Sequence, residues 1–331
     1  MKVVTLAHGS GGVESNKLIN EIFFKRLKND ILLSSEDAAV FDGSAKTAFT
    51  TDSFIVSPIF FAGGDIGKIS VCGSCNDLAM MGARPKYLSL SLIIEEGFEI
   101  EKLEKVADSI TAELAKNGAK VVTGDTKIAP KGSVDKIFIN TSAVGEVVYE
   151  GISCKNIKEG DKIIVSRSIG EHGAAIFSAR EGIELKSSLA SDCASLWPTV
   201  EKLISCGADI VAMRDATRGG VAAVFNEWAN SSGVSLECDE EAFCIKPEVA
   251  GVCELLGFDA FSLANEGTFV LAVRGDCDEV LRVLREDEFT KDAAIVGVAV
   301  NDGKNRVVLK NAYNTRRILE YPSGELLPRI C

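Results

Sequence analysis

The chain has 331 residues, which is enough for two domains or one large one. Its formal net charge of −12, from 36 Lys and Arg against 48 Asp and Glu, argues against a nucleic-acid surface or an anionic membrane as partner. With 46% hydrophobic and 7% aromatic residues, the composition is typical of a globular protein with a sizeable core.

No apolar run approaches the ~20 residues that a membrane span requires. The start, Met1-Lys2-Val3-Val4, lacks the apolar region of a signal peptide. We therefore expect a cytoplasmic protein. Its ten cysteines are then mostly reduced thiols.

Strands and helices are predicted to alternate through residue 150. Leu103, Val106 and Ile110 fall on one helical stripe, and Gly118 follows it as a helix-ending glycine. The predicted elements are helices at Ser15–Lys28, around Val71 and at Glu99–Asn117, and strands at Ala38–Phe41, Ala48–Thr51, Lys86–Ile94, Lys120–Thr123 and Lys136–Val148.

The stretch Glu150–Asp161 contains Gly151 and Gly160. It is predicted to separate residues 1–150 from a second unit of mixed helix and strand at 151–311. The elements predicted there are strands at Lys162–Ser166, Asp209–Met213, Thr268–Val273, Ala293–Val300 and Arg306–Leu309, and helices at Ala174–Arg180, Thr199–Cys206 and Arg218–Asn230. The fold class is therefore α/β (α+β).

Residues 312–331 are predicted to form a mobile tail, because this segment carries turn-forming residues and no long apolar period. Its last residue is Cys331. A thiol on a long arm could be loaded at one place and delivered to another, whereas a chance cysteine on a frayed end is the alternative. The tail alone leaves both interpretations open.

Five aspartates occur in short acidic segments at predicted strand ends or turns: Asp37, Asp52, Asp77, Asp125 and Asp215. Each alone is typical of a turn. Five together favour a site, because clustered carboxylates repel one another unless a cation neutralises them. Mg²⁺ suits such oxygen ligands together with nucleotide phosphates.

Three glycine-rich segments, at residues 8–12, 62–68 and 217–220, each precede a predicted helix. Glycine lets backbone N–H groups approach an anion at a helix N-terminus. None of the segments is a Walker A loop, although Gly67-Lys68 comes nearest. The three segments together indicate phosphate binding, and an ordinary turn remains the alternative for each.

Cys72 and Cys75 form a C-x-x-C motif, but no second such pair exists, and the chain has two histidines, His8 and His172. A zinc site needs two further ligands at similar spacing. Two small core residues in a buried helix are therefore the favoured interpretation. His172 could approach a substrate, but a structural turn histidine is favoured.

The motifs at residues 71–85, 123–127, 214–220 and 265–267, with the terminal Pro-Arg-Ile-Cys, resemble the HypE family. These are the carbamoyl dehydratases of nickel–iron hydrogenase maturation, in the superfamily of aminoimidazole ribonucleotide synthetase and selenophosphate synthetase. The resemblance spans almost the whole chain. Cys75 departs from it, because an aliphatic residue is expected there.

The resemblance implies a two-domain aminoimidazole ribonucleotide synthetase-like fold and a homodimer formed by the N-terminal, ATP-binding domains. It also implies that the carbamoyltransferase HypF loads a carboxamide onto Cys331. ATP then drives dehydration of the thiocarbamate to a thiocyanate. The cyanide passes to iron held by the HypC–HypD complex.

By resemblance, Lys127 and Glu266 lie beside the carboxamide on Cys331. One would polarise its oxygen or steady charge, and the other would take protons from its nitrogen. A surface lysine and a solvated turn glutamate are the alternatives. Candidates for the ATP site are Asp37, Asp52, Lys68, Asn76, Asp77, Asp125, Thr126, Asp215, Gly219 and Gly220, and the five aspartates among them are candidates for Mg²⁺.

Two other functions are compatible with parts of the sequence. A related ATP-using synthetase or kinase acting on a free small molecule would not need Cys331. A non-enzymatic adaptor, whose tail thiol tethers partners or metal, would not hydrolyse ATP. The acidic residues and three glycine-rich helix starts argue against the adaptor.

Overall fold

The structure is a computed structural model that describes residues 3–9, 13–33, 39, 41–182, 188–323 and 329–331. Two β-sheets form its frame, one of four strands in the first half of the chain and one of seven strands in the second half. Within the described residues, no helix is long and apolar enough to cross a membrane.

The four-stranded sheet has the order β1-β6-β4-β5, and a separate two-stranded pair joins β2 to β3. β4 and β5 run parallel, and the other neighbours run antiparallel. The strands are β1 (Thr47–Phe54), β2 (Phe60–Phe61), β3 (Gly64–Asp65), β4 (Ala83–Glu95), β5 (Lys120–Ala129) and β6 (Ile137–Val147).

The strand register puts neighbouring residues on opposite faces of this sheet. Asp52 lies in a row that continues through β6 and β4 to Gly124 on β5. Ser53 lies in the next row, which ends at Asp125. The first row belongs to the inner face, which helices cover, and the second to the outer face.

The helices of the first half are α1 (Val13–Leu18), α2 (Lys25–Leu27), α3 (Asp30–Leu33), α4 (Ile66–Met80) and α5 (Ile100–Asn117), and a π-helical segment at Ile19–Phe24 joins α1 to α2. The Asp65 side chain caps α4 by accepting hydrogen bonds from Gly67 N at 2.7 Å and Lys68 N at 3.1 Å. A side chain at Gly67 would place its Cβ 2.4 Å from Val106 O of α5, so glycine allows the two helices to touch. α4 is buried on nearly all sides and packs on β1, β6 and α5.

The seven-stranded sheet has the order β13-β12-β9-β11-β7-β10-β8, and β12 with β9 is its one parallel pair. Its strands are β7 (Lys162–Val165), β8 (Asp209–Asp215), β9 (Ser235–Asp239), β10 (Phe269–Arg274), β11 (Ala294–Val300), β12 (Val307–Lys310) and β13 (Arg316–Ile318).

Helices pack against this sheet and bury its apolar residues in two clusters, one built around Trp228 and the other around Trp197. α4 also contacts β8, so the N-terminal central helix lies against the edge strand of the second sheet. The helices are α6 (Glu171–Arg180), α7 (Trp197–Ser205), α8 (Gly220–Ser232), α9 (Pro247–Leu256) and α10 (Asp278–Arg285).

Most predicted elements are confirmed, with shifted ends. The helix predicted at Glu99–Asn117 is α5, and Gly118 ends it with a φ of +65°. The strand predicted at Lys120–Thr123 is too short, because parallel pairing with β4 continues it to Ala129. The strand predicted at Ala38–Phe41 lies partly outside the described residues, and the described Ala39 and Phe41 are not in a strand.

The described part of the predicted tail lies against the protein. β13 pairs with β12 at the edge of the second sheet, and Leu319 is buried behind it. Ile330 is buried and Cys331 partly buried against the apolar core of the first sheet. The end of the tail therefore rests inside the protein, and the predicted mobility of residues 312–331 stays a prediction.

Candidate active site

Three of the predicted aspartates come together where the two sheets meet. Asp52 projects from the inner face of β1, Asp77 lies on α4, and Asp215 ends β8. Burial raises the pKa of Asp52 to about 6, and the charge of Asp77 raises it too. Burial raises the pKa of Asp215 to about 7, with a further contribution from Asp77. The three carboxyl groups therefore repel one another in a poorly hydrated place.

Asp77 is the best-supported member of this acidic cluster. Thr50 Oγ1 donates a hydrogen bond of 2.7 Å to its Oδ2. Burial raises the pKa of Asp77, while that hydrogen bond and the charges of Arg214 and Arg218 hold it down. Both arginines come from the segment that ends β8, so the acidic cluster has cations at its edge.

Glu266 borders the acidic cluster from the segment just before β10. Its side chain is only 3% exposed. Burial raises its pKa well above the usual range, and the charges of Asp215 and Asp192 add to this effect. A buried, easily protonated carboxyl group can exchange protons with a substrate.

Cys331 lies close enough to the acidic cluster for their charges to interact. Burial, and after it the charge of Glu266, raises the pKa of its thiol to about 12, while Arg218 opposes the rise. A backbone carboxylate oxygen of Cys331 accepts a hydrogen bond of 3.0 Å from Ile55 N, just beyond β1. The structure thus brings two of the three predicted catalytic residues, Cys331 and Glu266, into one neighbourhood.

His172 is a fully buried residue in the first turn of α6 that holds the tail. Its Nε2 lies 2.7 Å from the Ile330 carbonyl, which can only accept, so Nε2 carries the proton. Its Nδ1 then accepts from Ser191 Oγ at 2.7 Å. Burial lowers the pKa of His172, which keeps this neutral form.

Arg329 and Arg180 fasten the same end of the tail. Arg180 Nη2 donates to the Arg329 carbonyl at 2.8 Å, and Arg329 Nη1 forms an ion pair with Asp135 at 2.8 Å. The Ser57 N–H donates to the Arg329 carbonyl at 3.3 Å. Each residue from 329 to 331 therefore has at least one backbone contact with the body of the protein.

A cavity of about 610 Å³ opens beside Cys331. Its walls include Arg218, Gly219 and the outer-face residue Ser53, so the cavity extends around the end of β1. Gly219 is the N-cap residue of α8 and Gly220 begins the helix, with φ angles of +79° and +58°. A Cβ at Gly220 would lie 2.5 Å from two backbone carbonyls, so this glycine is required by close packing.

Lys68 and Asn76 lie on α4 and contact other parts of the chain. Lys68 Nζ donates to the Gly63 carbonyl at 2.9 Å. The Asn76 amide donates to Ala194 O at 3.0 Å and accepts from Leu196 N at 2.9 Å. Their predicted contacts with ATP stay predictions.

Asp125, Thr126 and Lys127 lie on β5, at the edge of the first sheet. Lys127 Nζ and Asp125 Oδ1 form an exposed ion pair of 2.6 Å on the outer face. Because Asp52 points to the inner face, Asp125 is separated from the acidic cluster by the sheet. Asp37 lies outside the described residues.

Cys72 and Cys75 are both fully buried in α4. Cys72 Sγ lies 3.7 Å from Glu113 Oε2 and from Ser195 Oγ. Across the described parts of the chain, no group of three or more His, Cys, Asp or Glu side chains is arranged to hold a metal ion. The C-x-x-C motif therefore contributes to the core of the first half.

Sequence reasoning missed Ser191, Asp192 and Arg218. Ser191 and Asp192 follow residues 183–187, outside any predicted element, and a Ser-Asp pair is typical of a loop. Arg218 belongs to a recognised motif, but only Asp215 and the glycines of that motif were assigned to the site. No local signal in the sequence shows that Asp192 contacts the segment of Glu266.

Two family models match the chain. The N-terminal domain of AIR synthase related proteins matches residues 35–147, and the C-terminal domain matches residues 158–310. These matches, with the two observed sheets, confirm the predicted α/β (α+β) fold of the aminoimidazole ribonucleotide synthetase type.

Among curated proteins, carbamoyl dehydratase HypE of Escherichia coli (strain K12) is 42% identical and is covered over 100% of both chains. A crystal structure of the hydrogenase maturation protein HypE in complex with ATP superposes with a TM-score of 0.95, at 40% identity and 99% coverage of both chains. HypE in a HypE–HypF complex gives a TM-score of 0.80, at 44% identity, covering 92% of this chain and 99% of that one.

Proposed function

We propose that this chain, which belongs to the HypE family of carbamoyl dehydratases, uses ATP to dehydrate a carboxamide carried on the sulfur of Cys331. The product is a thiocyanate, which supplies the cyanide ligand of nickel–iron hydrogenase. The carrying observation is the inward position of Cys331, beside buried Glu266 and the acidic cluster. A small-molecule synthetase would have no use for that position.

The reaction balances through a phosphorylated intermediate. The carboxamide oxygen attacks the γ-phosphorus of ATP and releases ADP. The C–O bond then breaks, phosphate leaves with the oxygen, and the nitrogen loses both protons as the C≡N bond forms. Phosphorylation is needed because an amide oxygen is a poor leaving group.

Glu266 is suited to receive a proton from the carboxamide nitrogen. Its raised pKa makes it a stronger base than an exposed glutamate, once it is ionised. Lys127, whose ammonium pairs with Asp125 on the outer face, is proposed to steady the developing charge. Within one chain, Lys127 lies on the opposite face of the sheet from the acidic cluster. Its proposed role therefore depends on the way in which two chains pair.

Asp52, Asp77 and Asp215 are not arranged to hold a metal ion by themselves, so they are proposed to bind Mg²⁺ together with the ATP phosphates. A divalent cation there would relieve their mutual repulsion. The ion would offset the negative charge of the ATP phosphates. Asp125 and Asp37 remain further candidates. Arg218 and the first turn of α8 would face the phosphates from the other side of the cavity.

A homodimer is proposed to form through the outer face of the first sheet. Phe49 is 69% exposed and Ile93 41% exposed on this face, which is unusual for large apolar residues on a sheet. Asp125 and Lys127 lie at the edge of the same face. Pairing would cover the apolar residues and bring these two into an interface, in residues 1–150, the proposed ATP-binding and dimerisation domain.

Further partners are proposed from the family. The relative solved with HypF supports a carbamoyltransferase that loads Cys331, and HypC–HypD is the proposed acceptor of cyanide. The tail comprises residues 312–331. Both steps require its end to leave the contacts that Ile330 makes with His172 and that Arg329 makes with Arg180. The tail is therefore proposed to move between the inner position and a partner, in the cytoplasm.

The test is the intact mass of the C-terminal peptide after incubation with carbamoyltransferase, carbamoyl phosphate and ATP. We expect an adduct on Cys331 that becomes lighter by the mass of one water only when ATP and Mg²⁺ are present. An unmodified Cys331, in the presence of a demonstrably active loading enzyme, would contradict the proposal.

A further inference from the structure

We infer that Asp192 is a positioning residue that holds the backbone of Glu266 in place for proton transfer. This inference rests on the proposed function for its reaction and on the following contacts for its geometry. Asp192 belongs to the segment between α6 and α7 and has no part in the acidic cluster.

The Asp192 carboxylate receives three hydrogen bonds from one short stretch of chain. Its Oδ1 accepts from Glu266 N at 3.0 Å. Its Oδ2 accepts from Gly267 N at 3.0 Å and from Thr268 Oγ1 at 2.9 Å. Consecutive residues are thereby tied to one rigid group, which fixes both the position and the orientation of the Glu266 backbone.

Asp192 is only 3% exposed, and its carboxylate contacts among the described residues are these hydrogen bonds and not an ion pair. A buried carboxylate without a cation is costly unless hydrogen bonds replace its lost hydration. The two backbone N–H groups and the hydroxyl provide this replacement. An asparagine or serine in a purely structural turn would be less costly to bury than a carboxylate. Each has only one acceptor oxygen, however, and the two oxygens of Asp192 accept hydrogen bonds from all three donors.

The two segments are also packed too tightly for Glu266 to shift by itself. A Cβ on Gly267 would lie 1.9 Å from the Asp192 carbonyl oxygen and 2.6 Å from the Phe289 ring. Ala194 N donates to the Glu266 carbonyl at 3.4 Å from the other side. The backbone of Glu266 is therefore held by residues 192 and 194 together.

The same segment also reaches the tail. Ser191 Oγ contacts His172, whose other nitrogen donates to the Ile330 carbonyl. Two neighbouring residues thus help to position the two reacting groups. Ser191 contacts His172, which holds the tail that carries Cys331, and Asp192 holds the backbone of Glu266. Relative placement errors of about 1 Å between reacting groups cost about 100-fold in rate.

The test is a double-mutant cycle in the full-length chain, preloaded with carboxamide, with Asp192→Asn, Glu266→Gln and the pair. An amide offers one acceptor to three donors, so Asp192→Asn alone should lower the dehydration rate about 10- to 100-fold. It should leave the apparent KM for ATP within about twofold, because uniform binding is untouched. In the Glu266→Gln background, Asp192→Asn should have almost no further effect.

A matched control and a second measurement keep the outcome interpretable. Asp161→Asn removes another buried carboxylate, one paired with Arg274 in the second sheet, and should lower stability without this loss of rate. Amide hydrogen exchange at Glu266 and Gly267, which needs no turnover, should accelerate in Asp192→Asn and not in Asp161→Asn. Additive rate losses in the cycle, or unchanged exchange at both amides, would overturn the inference. Absence of dehydration by the unsubstituted protein would instead count against the proposed function.

Discussion

The two faces of the first sheet carry the same residue types in contrasting surroundings. On the inner face, Asp52 meets Asp77 and Asp215, and all three have raised pKa values. On the outer face, Asp125 is exposed beside Lys127, which already balances its charge. The inner carboxylates therefore have more to gain from a bound cation than the outer one, whose charge Lys127 already balances.

The contrast extends to what each face can do. The inner face is more buried than the outer face, lies next to Glu266 and Cys331, and suits proton and phosphoryl transfer. The outer face exposes Phe49 and Ile93 and suits association. Neighbouring residues of one strand point to opposite faces of a sheet, so a shift of one position along the strand exchanges these roles.

The largest expected effect is that of Glu266→Gln on the inner side. Removing a positioned base should lower the single-turnover dehydration rate by about 10²- to 10⁴-fold and leave ATP binding intact. Glu171→Gln is the control, because Glu171 is equally buried but pairs with Arg167 and Lys246. Equal rate losses in the two variants would show that burial, and not chemistry, explains the effect.

Asp77→Asn tests the proposed cation site directly. We expect the ATP-dependent rate to fall by about 100-fold, since charge opposite the phosphates is lost. In the absence of divalent cations the same change should not lower the unfolding temperature, because it relieves repulsion from Asp52 and Asp215.

Asp125→Asn provides the outer-face comparison for that stability measurement. It breaks an exposed ion pair and should change the free energy of unfolding by only about 0–1 kcal/mol. The measurement is the unfolding temperature of Asp77→Asn and of Asp125→Asn, each with and without Mg²⁺. If Mg²⁺ raised the stability of Asp77→Asn as much as that of the unsubstituted protein, the inner cation site would be disproved.

The pH dependence of Cys331 alkylation tests the dryness of the inner side. The docked thiol has a pKa raised from about 9 to about 12, so docking favours the protonated thiol. The docking stability is therefore present below about pH 9 and is lost as the pH rises toward 12. At about pH 8, alkylation by iodoacetamide should be at least about tenfold slower than for a free C-terminal peptide.

His172→Ala should remove much of that protection, because it deletes the hydrogen bond to the Ile330 carbonyl. Peptide mapping identifies the alkylated site, and Cys331→Ser serves as the blank. Alkylation of the unsubstituted chain at the rate of the free peptide would mean that the tail does not rest in the inner position.

The smallest effect on a single chain is expected from Phe49→Asp on the outer face. The side chain is already exposed, so the folded chain should keep its unfolding temperature within a few degrees. The molar mass in solution should nevertheless fall from that of a dimer to that of a monomer, because a charge would be buried in the interface. Asn140→Asp adds the same charge to the same face but removes no apolar side chain, so it should weaken pairing less. An unchanged dimer in Phe49→Asp would place the interface elsewhere.

Elements with strong periodicity were predictable from the chain alone. The stripe through Leu103 and Ile110 fixes α5, and Gly118 ends it where the pattern stops. α10 was missed although Val280, Val283 and Leu284 fall on one buried face, because it has only eight residues and four of them are charged. β9 was missed for a different reason: its five residues contain two acidic groups and gain their place by pairing with β11 and β12.

The sequence by itself determined the fold class, the family, and which residues are candidates for the chemistry, since these depend on local patterns and motifs. Only the tertiary structure decided which of those residues meet. Asp52 and Asp125 have similar local signals, yet strand register puts them on opposite faces of one sheet. Asp192 has no motif, yet folding brings it onto the backbone of Glu266, 74 residues away. Such contacts join distant parts of the chain, and the packing that creates them leaves no local trace.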